Sequence, residues 1–282
     1  MGKTRFRLGL IGDNIRASRA PALHRLAGRM AGLEVSYELF IPPALGMSFG
    51  EVFEHVEEIG LDGVNVTLPY KERVVSRLRI DDPDIARIGA CNTVRFDADG
   101  PRGFNTDFSA FVTAYGAAFP DLPPGRVVMF GAGGVGKAVA FALKRLKAER
   151  IIFIDPDRAK AEALADVLNA DGTALARVGD LSDLPGADGV INCTPLGMVG
   201  YGGSPVAQGG FPGCRWAFDA VYTPVDTPFR AQAEAARARF ISGYELYYYQ
   251  GVDAFEIFTG RRVTDHARLR AALAAEPAPL SA

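Results

Sequence analysis

The segment GAGGVG, residues 131–136, constrains the fold of this chain more than any other stretch, because it lies between two apolar runs of different periodicity. It follows RVVMF, which is typical of a buried strand, and it precedes KAVAFALKRLKA, where apolar residues recur at helical spacing. A strand, a loop with the spacing GxGxxG and a helix are typical of the first βα unit of a dinucleotide-binding domain. An ordinary glycine turn between a strand and a helix is the alternative interpretation.

The three spaced glycines, Gly131, Gly133 and Gly136, have separate physical roles in such a loop. The first permits a tight turn, the second lets the backbone approach a pyrophosphate, and the third lets the helix pack closely against the strand. Backbone N–H groups at the start of the helix then bind the anion. The pattern predicts that the cofactor contacts the whole loop, which consists of Gly131, Ala132, Gly133, Gly134, Val135 and Gly136.

Asp155 ends the next apolar run, RIIFIDP, at the place where a ribose-binding acid is expected. A carboxylate there accepts hydrogen bonds from the ribose hydroxyls and repels a 2′-phosphate, which favours NAD over NADP. NADP is the less favoured alternative, and it rests on Arg158, a residue able to pair with a phosphate. In the other interpretation Asp155 is only a turn residue in the sequence DPD.

Composition narrows the class of partner. The net charge of −2 over 282 residues provides no surplus of lysine and arginine for nucleic acid. Neither a signal peptide nor an apolar stretch long enough for a membrane is evident, so we expect a cytoplasmic protein that does not bind membranes. The three cysteines and three histidines are scattered, and we predict no metal site. A small-molecule substrate is therefore expected.

Two α/β units are predicted, separated by the break DLPPG at residues 121–125. Before it, the order strand, helix, strand, helix, strand predicts a mainly parallel sheet with helices on its faces. The first unit also contains polar residues that a core does not require, because an unpartnered buried amide costs about 1 to 3 kcal/mol. These residues indicate a pocket, and they are Asn65, Thr67, Lys71, Asn92 and Asp107.

Seven motifs occur in an order that resembles the shikimate dehydrogenase family, including its quinate/shikimate branch. They are GVNVTLPYK, GACNTV, FNTD, GAGGVGKAVAFAL, NCTPLGM, DAVYTPVDTP and YYYQGVDAFEIFTG. The resemblance extends from about residue 7 to residue 262. It implies an α/β substrate-binding and catalytic domain at 1–109, a Rossmann-type NAD(P)-binding domain at 110–242, and C-terminal helices at 243–282 that return to the first domain.

The resemblance also implies roles for individual residues. Lys71 and Asp107 match the pair that handles the proton of the substrate alcohol while hydride moves to or from the nicotinamide. The residues implied to bind a small polyhydroxylated cyclic acid are Ser18, Asn65, Thr67, Asn92, Tyr222 and Gln250. The residues implied to lie along the ribose and nicotinamide are Asn192, Thr194, Met198, Val221 and Gly243. A monomer or a homodimer is expected.

The segment RASRAP, residues 16–21, departs from the family pattern. Relatives carry a second hydroxyl residue before the proline, and this chain has Ala20, which we predict to cap the helix that starts at Pro21. Arg16 and Arg19 are candidates to replace the lost hydroxyl, and the alternative is that both point to solvent. The sequence favours an NAD-dependent dehydrogenase of quinate or shikimate. The alternatives are a family member with a shifted substrate, such as aminoshikimate or another cyclitol, and a non-catalytic NAD-binding regulator.

Overall fold

A computed structural model of the chain describes residues 2–206 and 209–277, which belong to two compact units. One unit comprises Met1–Thr106 with Gln250–Ala282, and the other comprises Asp107–Tyr249. The first division lies just before the predicted domain boundary at 109/110, and the second lies inside a helix that begins at the predicted boundary 242/243. Residues 278–282 of the predicted C-terminal segment lie outside the described residues.

A five-stranded sheet forms the centre of the first unit. Its strands are β1 (Arg5–Ile11), β2 (Glu34–Phe40), β3 (Gly63–Val66), β4 (Thr93–Asp97) and β5 (Gly100–Phe104). The spatial order is β2-β1-β3-β4-β5; the first three strands are parallel, whereas β4 and β5 run antiparallel to their neighbours. The predicted α/β class is confirmed. The β4–β5 hairpin was not predicted.

The outer edge of β5 is covered by the chain segment before it. Arg79 N–H donates to Pro101 O at 2.9 Å, and Gly103 N–H donates to Arg79 O at 2.9 Å, which forms an isolated parallel bridge beside the strand. Arg102 adds an ion pair to Asp97 at 3.0 Å. The unpaired backbone groups of an edge strand are thereby partly satisfied within the unit.

Helices and one 3₁₀ turn cover the two faces of this sheet. They are α1 (Ala20–Met30), α2 (Pro42–Leu45), α3 (Phe49–Glu58), the 3₁₀ turn Arg73–Arg77, α4 (Pro83–Ile88), the second half of α9 (Gly243–Thr259) and α10 (His266–Ala275). Helix α3 begins with a capping box in which Ser48 and Glu51 bond each other's backbone N–H groups. Its buried residues Val52, Phe53 and Val56 belong to the same core cluster as Val64 of β3. Helix α10 lies within the segment 243–282, for which C-terminal helices were predicted without bounds.

Helix α1 begins one residue earlier than predicted. Arg19 is the N-cap, and Ala20 and Pro21 are the first two helical residues. The side chain of Arg19 does not cap the helix; instead, the Ser18 hydroxyl accepts a hydrogen bond from the Ala20 N–H at 3.2 Å. The prediction that Ala20 is the cap is therefore wrong, because the hydroxyl two residues earlier already satisfies a free N–H of the first turn.

The second unit is built around a six-stranded parallel sheet. Its strands are β6 (Arg126–Phe130), β7 (Arg150–Ile154), β8 (Ala176–Val178), β9 (Gly189–Asn192), β10 (Trp216–Asp219) and β11 (Arg239–Ser242). The spatial order is β11-β10-β9-β6-β7-β8, so the chain reverses its direction of travel between β6 and β9. Ligands of such sheets bind at this reversal, beyond the carboxyl ends of the strands.

Five helices flank this sheet or begin in this unit. They are α5 (Thr106–Ala118), α6 (Gly134–Arg145), α7 (Arg158–Asn169), α8 (Pro228–Ala235) and the first half of α9. Helix α7 lies where its sequence predicts it, whereas α6 begins inside the glycine loop at Gly134, three residues before the predicted start at Lys137. The Rossmann-type fold is confirmed. Strands β8, β10 and β11 and helix α8 were not predicted. Within residues 2–206 and 209–277, no helix combines the length and the apolar character needed to cross a membrane.

His24 of α1 is buried against the sheet of the first unit, with only 1% of its surface exposed. Its ring stacks on Tyr37 at a centroid distance of 4.7 Å, and Phe255 and Phe258 of α9 pack around it. Burial lowers the pKa of His24 to about 3, and a hydrogen bond with Asn65 opposes this shift. The imidazole is therefore neutral at neutral pH, since protonation would place an uncompensated charge in an apolar site.

We expect His24→Phe to reduce the pH dependence of stability. Because the folded pKa lies below the ordinary value of 6.5, the stabilisation is present above pH 6.5 and is lost as the pH falls toward 3. Each pH unit below 6.5 costs the wild type about 1.4 kcal/mol, or about 2 kcal/mol by pH 5. Urea unfolding at pH 7, 6 and 5 measures the difference.

The variant His55→Gln provides the control, since His55 is an exposed histidine on α3. This variant should keep the wild-type slope of stability against pH. Equal slopes for His24→Phe and the wild type would contradict the expected coupling between burial and titration.

Candidate active site

The glycine loop of the second unit has the geometry that a pyrophosphate requires. Gly131 has a φ of +93°, which favours glycine, and its N–H donates to Ile154 O at 3.0 Å. A Cβ on Gly136 would lie 2.2 Å from Gly131 O, so only glycine lets α6 approach the turn this closely. No atom lies within 4 Å of a Cβ built on Gly133, which leaves the backbone open to a ligand.

The start of α6 faces the same loop. Gly133 is the N-cap, no side chain caps the helix, and Gly134 and Val135 form its first turn. The N–H groups at a helix start carry partial positive charge and bind anions. The residues present therefore fit a dinucleotide.

Asp155 is both a neighbour of the glycine loop and a turn residue. Its Oδ2 accepts from the Ala132 N–H at 2.7 Å, and its Oδ1 accepts from the Asp157 N–H at 2.8 Å. Arg158, the candidate partner of a 2′-phosphate, instead pairs with Glu162 on the exposed side of α7 at 2.8 Å. The acid therefore contacts the loop, while the nearby cation is engaged along its own helix.

Asn192 closes a loop at the end of β9. Its Nδ2 donates to Leu196 O at 3.0 Å and to Asp219 Oδ1 at 3.0 Å, and its Oδ1 accepts from the Thr194 N–H at 3.0 Å and the Thr194 hydroxyl at 2.6 Å. The side chain is fully buried. Asn192 thus orders the segment that contains Thr194 and the half-buried Met198.

Asp219 likewise orders the loop after β10, and the sequence analysis did not identify this residue. Its Oδ1 also accepts from the Val221 N–H at 3.0 Å, and its Oδ2 accepts from the Thr227 hydroxyl at 2.6 Å. Burial raises the pKa of Asp219, and the bonds from Thr227, Val221 and Asn192 oppose that shift. The sequence feature that could have identified Asp219 is an aspartate at the end of the apolar run WAFD, because a buried carboxylate needs several hydrogen-bond donors around it.

Tyr222 and Gly243 belong to the same part of the second unit. The Tyr222 ring stacks on Tyr247 with centroids 5.3 Å apart and planes at 24°. A Cβ on Gly243 would lie 2.3 Å from Ala220 O, so α9 can begin at this place only with a glycine. Helix α9 is thereby held against the loop that contains Val221 and Tyr222.

In the first unit, Asn65 and Asn92 form one buried network. Asn65 Nδ2 donates to Asn92 O at 3.2 Å and to the Thr93 hydroxyl at 3.0 Å, while its Oδ1 accepts from the Tyr37 hydroxyl at 2.8 Å. Asn92 Oδ1 accepts from the Thr106 N–H at 2.8 Å. Both amides are therefore partnered, as their burial demands.

Thr67, Lys71 and Asp107 lie next to that network in the chain. Thr67 was predicted inside a strand, but β3 ends at Val66, and Thr67 opens the following loop with its N–H donating to Ile11 O at 2.9 Å. Lys71 is 8% exposed, and its carbonyl accepts from the Cys91 N–H at 2.8 Å. Asp107 is 4% exposed and follows Thr106 directly at the start of α5. Buried lysine and aspartate are uncommon, which makes Lys71 and Asp107 candidates for a functional role.

The remaining predicted residues lie in the segment before α1 and on α9. Ser18 is half-buried before α1, and Gln250 is half-buried on α9. Arg16 is exposed, and the Arg19 guanidinium donates to the carbonyl oxygens of Leu273 and, at 3.5 Å, Glu276 at the end of α10. Arg19 therefore does not point freely to solvent. Among residues 2–206 and 209–277, no group of three or more His, Cys, Asp or Glu residues could hold a metal ion.

Comparison with known proteins gives concordant results. The family model described as the shikimate dehydrogenase substrate binding domain matches residues 10–94. A shikimate dehydrogenase (NADP(+)) of Arthrobacter sp. is 37% identical over 94% of this chain and 93% of its own length. A quinate/shikimate dehydrogenase (NAD(+)) of Corynebacterium efficiens is 36% identical over 94% and 96%. The structure of quinate dehydrogenase from Corynebacterium glutamicum in complex with NAD superimposes with a TM-score of 0.88 at 34% identity, covering 96% of this chain and 99% of that one.

We expect Asp219→Asn to destabilise the protein by about 1 to 3 kcal/mol. Asparagine replaces one carboxylate oxygen, which accepts, with an N–H₂ group, which donates. One of the three groups that donate to Asp219, which belong to Asn192, Val221 and Thr227, then faces a donor instead of an acceptor. Urea unfolding measures the loss, with the exposed Asp166→Asn on α7 as the control for the lost charge. Identical unfolding midpoints for the two variants would contradict the role assigned to Asp219.

Proposed function

Because the chain belongs to the shikimate and quinate dehydrogenase family of oxidoreductases, we propose that it is an NAD-dependent enzyme that interconverts quinate or shikimate and their 3-dehydro ketones. The observation that carries this proposal is the carboxylate of Asp155 at the glycine loop, bonded to the Ala132 N–H at 2.7 Å. The named relatives include both NADP and NAD enzymes, so the choice depends on this chain's own residues.

The placement of Asp155 supports NAD as the cofactor. A carboxylate at the end of this strand accepts from the ribose hydroxyls and repels a 2′-phosphate. Arg158 lies on the exposed side of α7, where it pairs with Glu162, and within the described part of the chain its side chain forms no hydrogen bond or ion pair with Asp155 or the glycine loop. The dinucleotide would be held by the loop 131–136, by Asp155, and by the backbone near Thr194, Met198, Val221 and Gly243.

Lys71 and Asp107 are the residues proposed to handle the proton. A bound dinucleotide would supply the hydride acceptor for oxidation and the hydride donor for reduction. Hydride leaves a secondary alcohol readily only as the O–H proton is removed. Lys71 Nζ takes that proton during oxidation and returns it during reduction. Asp107 stabilises the charge that results. Its backbone is held at the start of α5 because the N–H of Thr106, the residue before it, donates to Asn92 Oδ1.

The substrate is proposed to meet neutral donors and acceptors. Ser18, Thr67, Asn92, Tyr222 and Gln250 are side chains whose hydroxyl and amide groups suit the ring hydroxyls and carboxylate of a cyclic acid. Asn65 is proposed at the same site, where its amide also binds Asn92 and Thr93.

A second candidate function follows from Ala20. This residue has no hydroxyl, the Ser18 hydroxyl is engaged with the Ala20 N–H, and Arg19 binds the end of α10. A family member with a shifted substrate, such as aminoshikimate or another cyclitol, is therefore the alternative within the same reaction class. Turnover of such an analogue with no turnover of quinate or shikimate would establish it.

We expect Asp155→Ala to narrow the preference for NAD. Rates are measured from the absorbance of reduced nicotinamide, with quinate, shikimate and two cyclitol analogues crossed against NAD and NADP. The wild type should favour NAD, and the variant should lower the ratio of kcat/KM for NAD to that for NADP by about tenfold, since a lost charged contact costs about 1.4 kcal/mol or more.

The exposed Asp166→Asn removes the same charge from α7 and should leave that ratio unchanged. If Asp155→Ala keeps the wild-type ratio of kcat/KM for NAD to that for NADP, Asp155 is a turn residue only. A wild type that prefers NADP would refute the proposed cofactor.

We expect Lys71→Ala to lower kcat by about 10² to 10⁴, the usual contribution of a positioned acid or base. NAD binding, measured by calorimetry, should persist. Lys160→Ala, at a lysine exposed on α7, serves as the control and should keep the wild-type kcat. Unchanged trace turnover in both the wild type and Lys71→Ala would instead favour a non-catalytic NAD-binding regulator.

A further inference from the structure

Tyr37 lies on β2, distant in sequence from every residue with a proposed role, yet its hydroxyl donates to Asn65 Oδ1 at 2.8 Å. We propose that Tyr37 is a positioning residue for the reaction, because its hydroxyl fixes the amide of Asn65 and, through that amide, Asn92 and the start of α5. This inference rests on the proposed function, since Asn92 and Asp107 belong to the site that it invokes.

The sheet register brings Tyr37 and Asn65 to one face. Tyr37 is paired with Leu8 of β1, and Asn65 is paired with Leu10 of the same strand. Residues two apart on a strand share a face, and paired residues of neighbouring strands point to the same side. The tyrosine therefore reaches from β2 across β1 to β3, which accounts for a contact between residues on strands that do not pair directly.

The partners of Asn65 determine how its amide is oriented. The carbonyl of Asn92 can only accept, so Nδ2 must face β4 and Oδ1 must face Tyr37. With this orientation the phenol must donate. Removal of the hydroxyl takes away a donor to Oδ1, while Nδ2 keeps its bonds to Asn92 O and Thr93.

The Tyr37 ring is itself held in place. It is 1% exposed and stacks on the neutral imidazole of His24 at 4.7 Å with planes 18° apart. The hydroxyl therefore has a fixed position, and a phenylalanine can keep the same stack without the hydrogen bond.

The network continues from Asn65 to α5. The Thr93 hydroxyl accepts from Asn65 and lies 3.1 Å from Asn92 Oδ1, to which it donates. That same oxygen accepts from the Thr106 N–H at 2.8 Å and the Thr106 hydroxyl at 3.1 Å. Thr106 is the first residue of α5, and Asp107 is the second. An unbroken series of buried hydrogen bonds therefore connects the Tyr37 hydroxyl to Thr106, the residue before Asp107.

A positioning role makes a specific kinetic prediction. Misplacement of reacting groups lowers the rate of the chemical step more than it weakens cofactor binding. Tyr37→Phe should therefore lower kcat by about ten- to a hundredfold, with an unchanged Kd for NAD. Amide hydrogen exchange at Thr106 should become faster in the same variant, since the bond that protects this N–H is loosened.

Tyr115→Phe is the matched control. Tyr115 is 2% exposed, and its hydroxyl donates to Leu122 O at 3.0 Å, so this variant also loses one buried phenol hydrogen bond. It should lose comparable thermal stability while it keeps the wild-type kcat and the wild-type exchange rate at Thr106.

The outcomes separate this inference from the proposed function. If the wild type turns over none of the cyclic acids or cyclitols, the proposed function fails, and exchange at Thr106 alone decides whether Tyr37 orders the network. If the wild type is active and Tyr37→Phe matches it in kcat and in exchange at Thr106, the positioning role is refuted. An equal fall in kcat for Tyr37→Phe and Tyr115→Phe, in proportion to lost stability, would likewise overturn the inference in favour of a structural role.

Discussion

A buried amide side chain needs hydrogen-bond partners for both its N–H₂ group and its carbonyl oxygen. In each unit of this molecule, such an amide lies at or next to the end of a strand. Asn65 on β3 bonds to β4, and Asn192 at the end of β9 bonds to Asp219 at the end of β10. In both places a side chain connects two neighbouring strands beyond the backbone ladder. The loops that follow β3, β9 and β10 contain several of the proposed site residues, among them Lys71, Thr194 and Tyr222, so the polar requirement of the core also orders these loops.

The glycine loop could be predicted from sequence because its geometry depends on residues close together in the chain. The positive φ of Gly131 and the close approach at Gly136 are consequences of the spacing in GAGGVG. Asp155 could be predicted for the same reason, as the next strand in a parallel βαβ unit must end beside the first loop. Its second bond, to the Asp157 N–H, is the contact expected of a turn residue.

Contacts that depend on sheet order could not be predicted. Tyr37 meets Asn65 only because β1 lies between their strands, and no local pattern in VSYELFI reveals that order. Asp219 meets Asn192 because β10 lies beside β9, and the strand β10 itself was not predicted. Helix α1 began earlier than expected for a local reason, because the Ser18 hydroxyl serves the first turn from outside the helix. Arg19 was misjudged since its partner, the end of α10, is distant in the chain.

The bridge between Arg79 and Arg102 beside β5 has a consequence for how copies of this protein meet. A bare edge strand is a template on which a strand from another molecule can add, and such addition leads to open-ended aggregates. Here part of that template is occupied from within by the segment around Arg79, and the charges of Asp97 and Arg102 stand along the same border. A second chain that approached this border would have to displace paired backbone and strip water from an ion pair. The hairpin that sequence analysis overlooked thus ends the sheet in a form that discourages polymerisation.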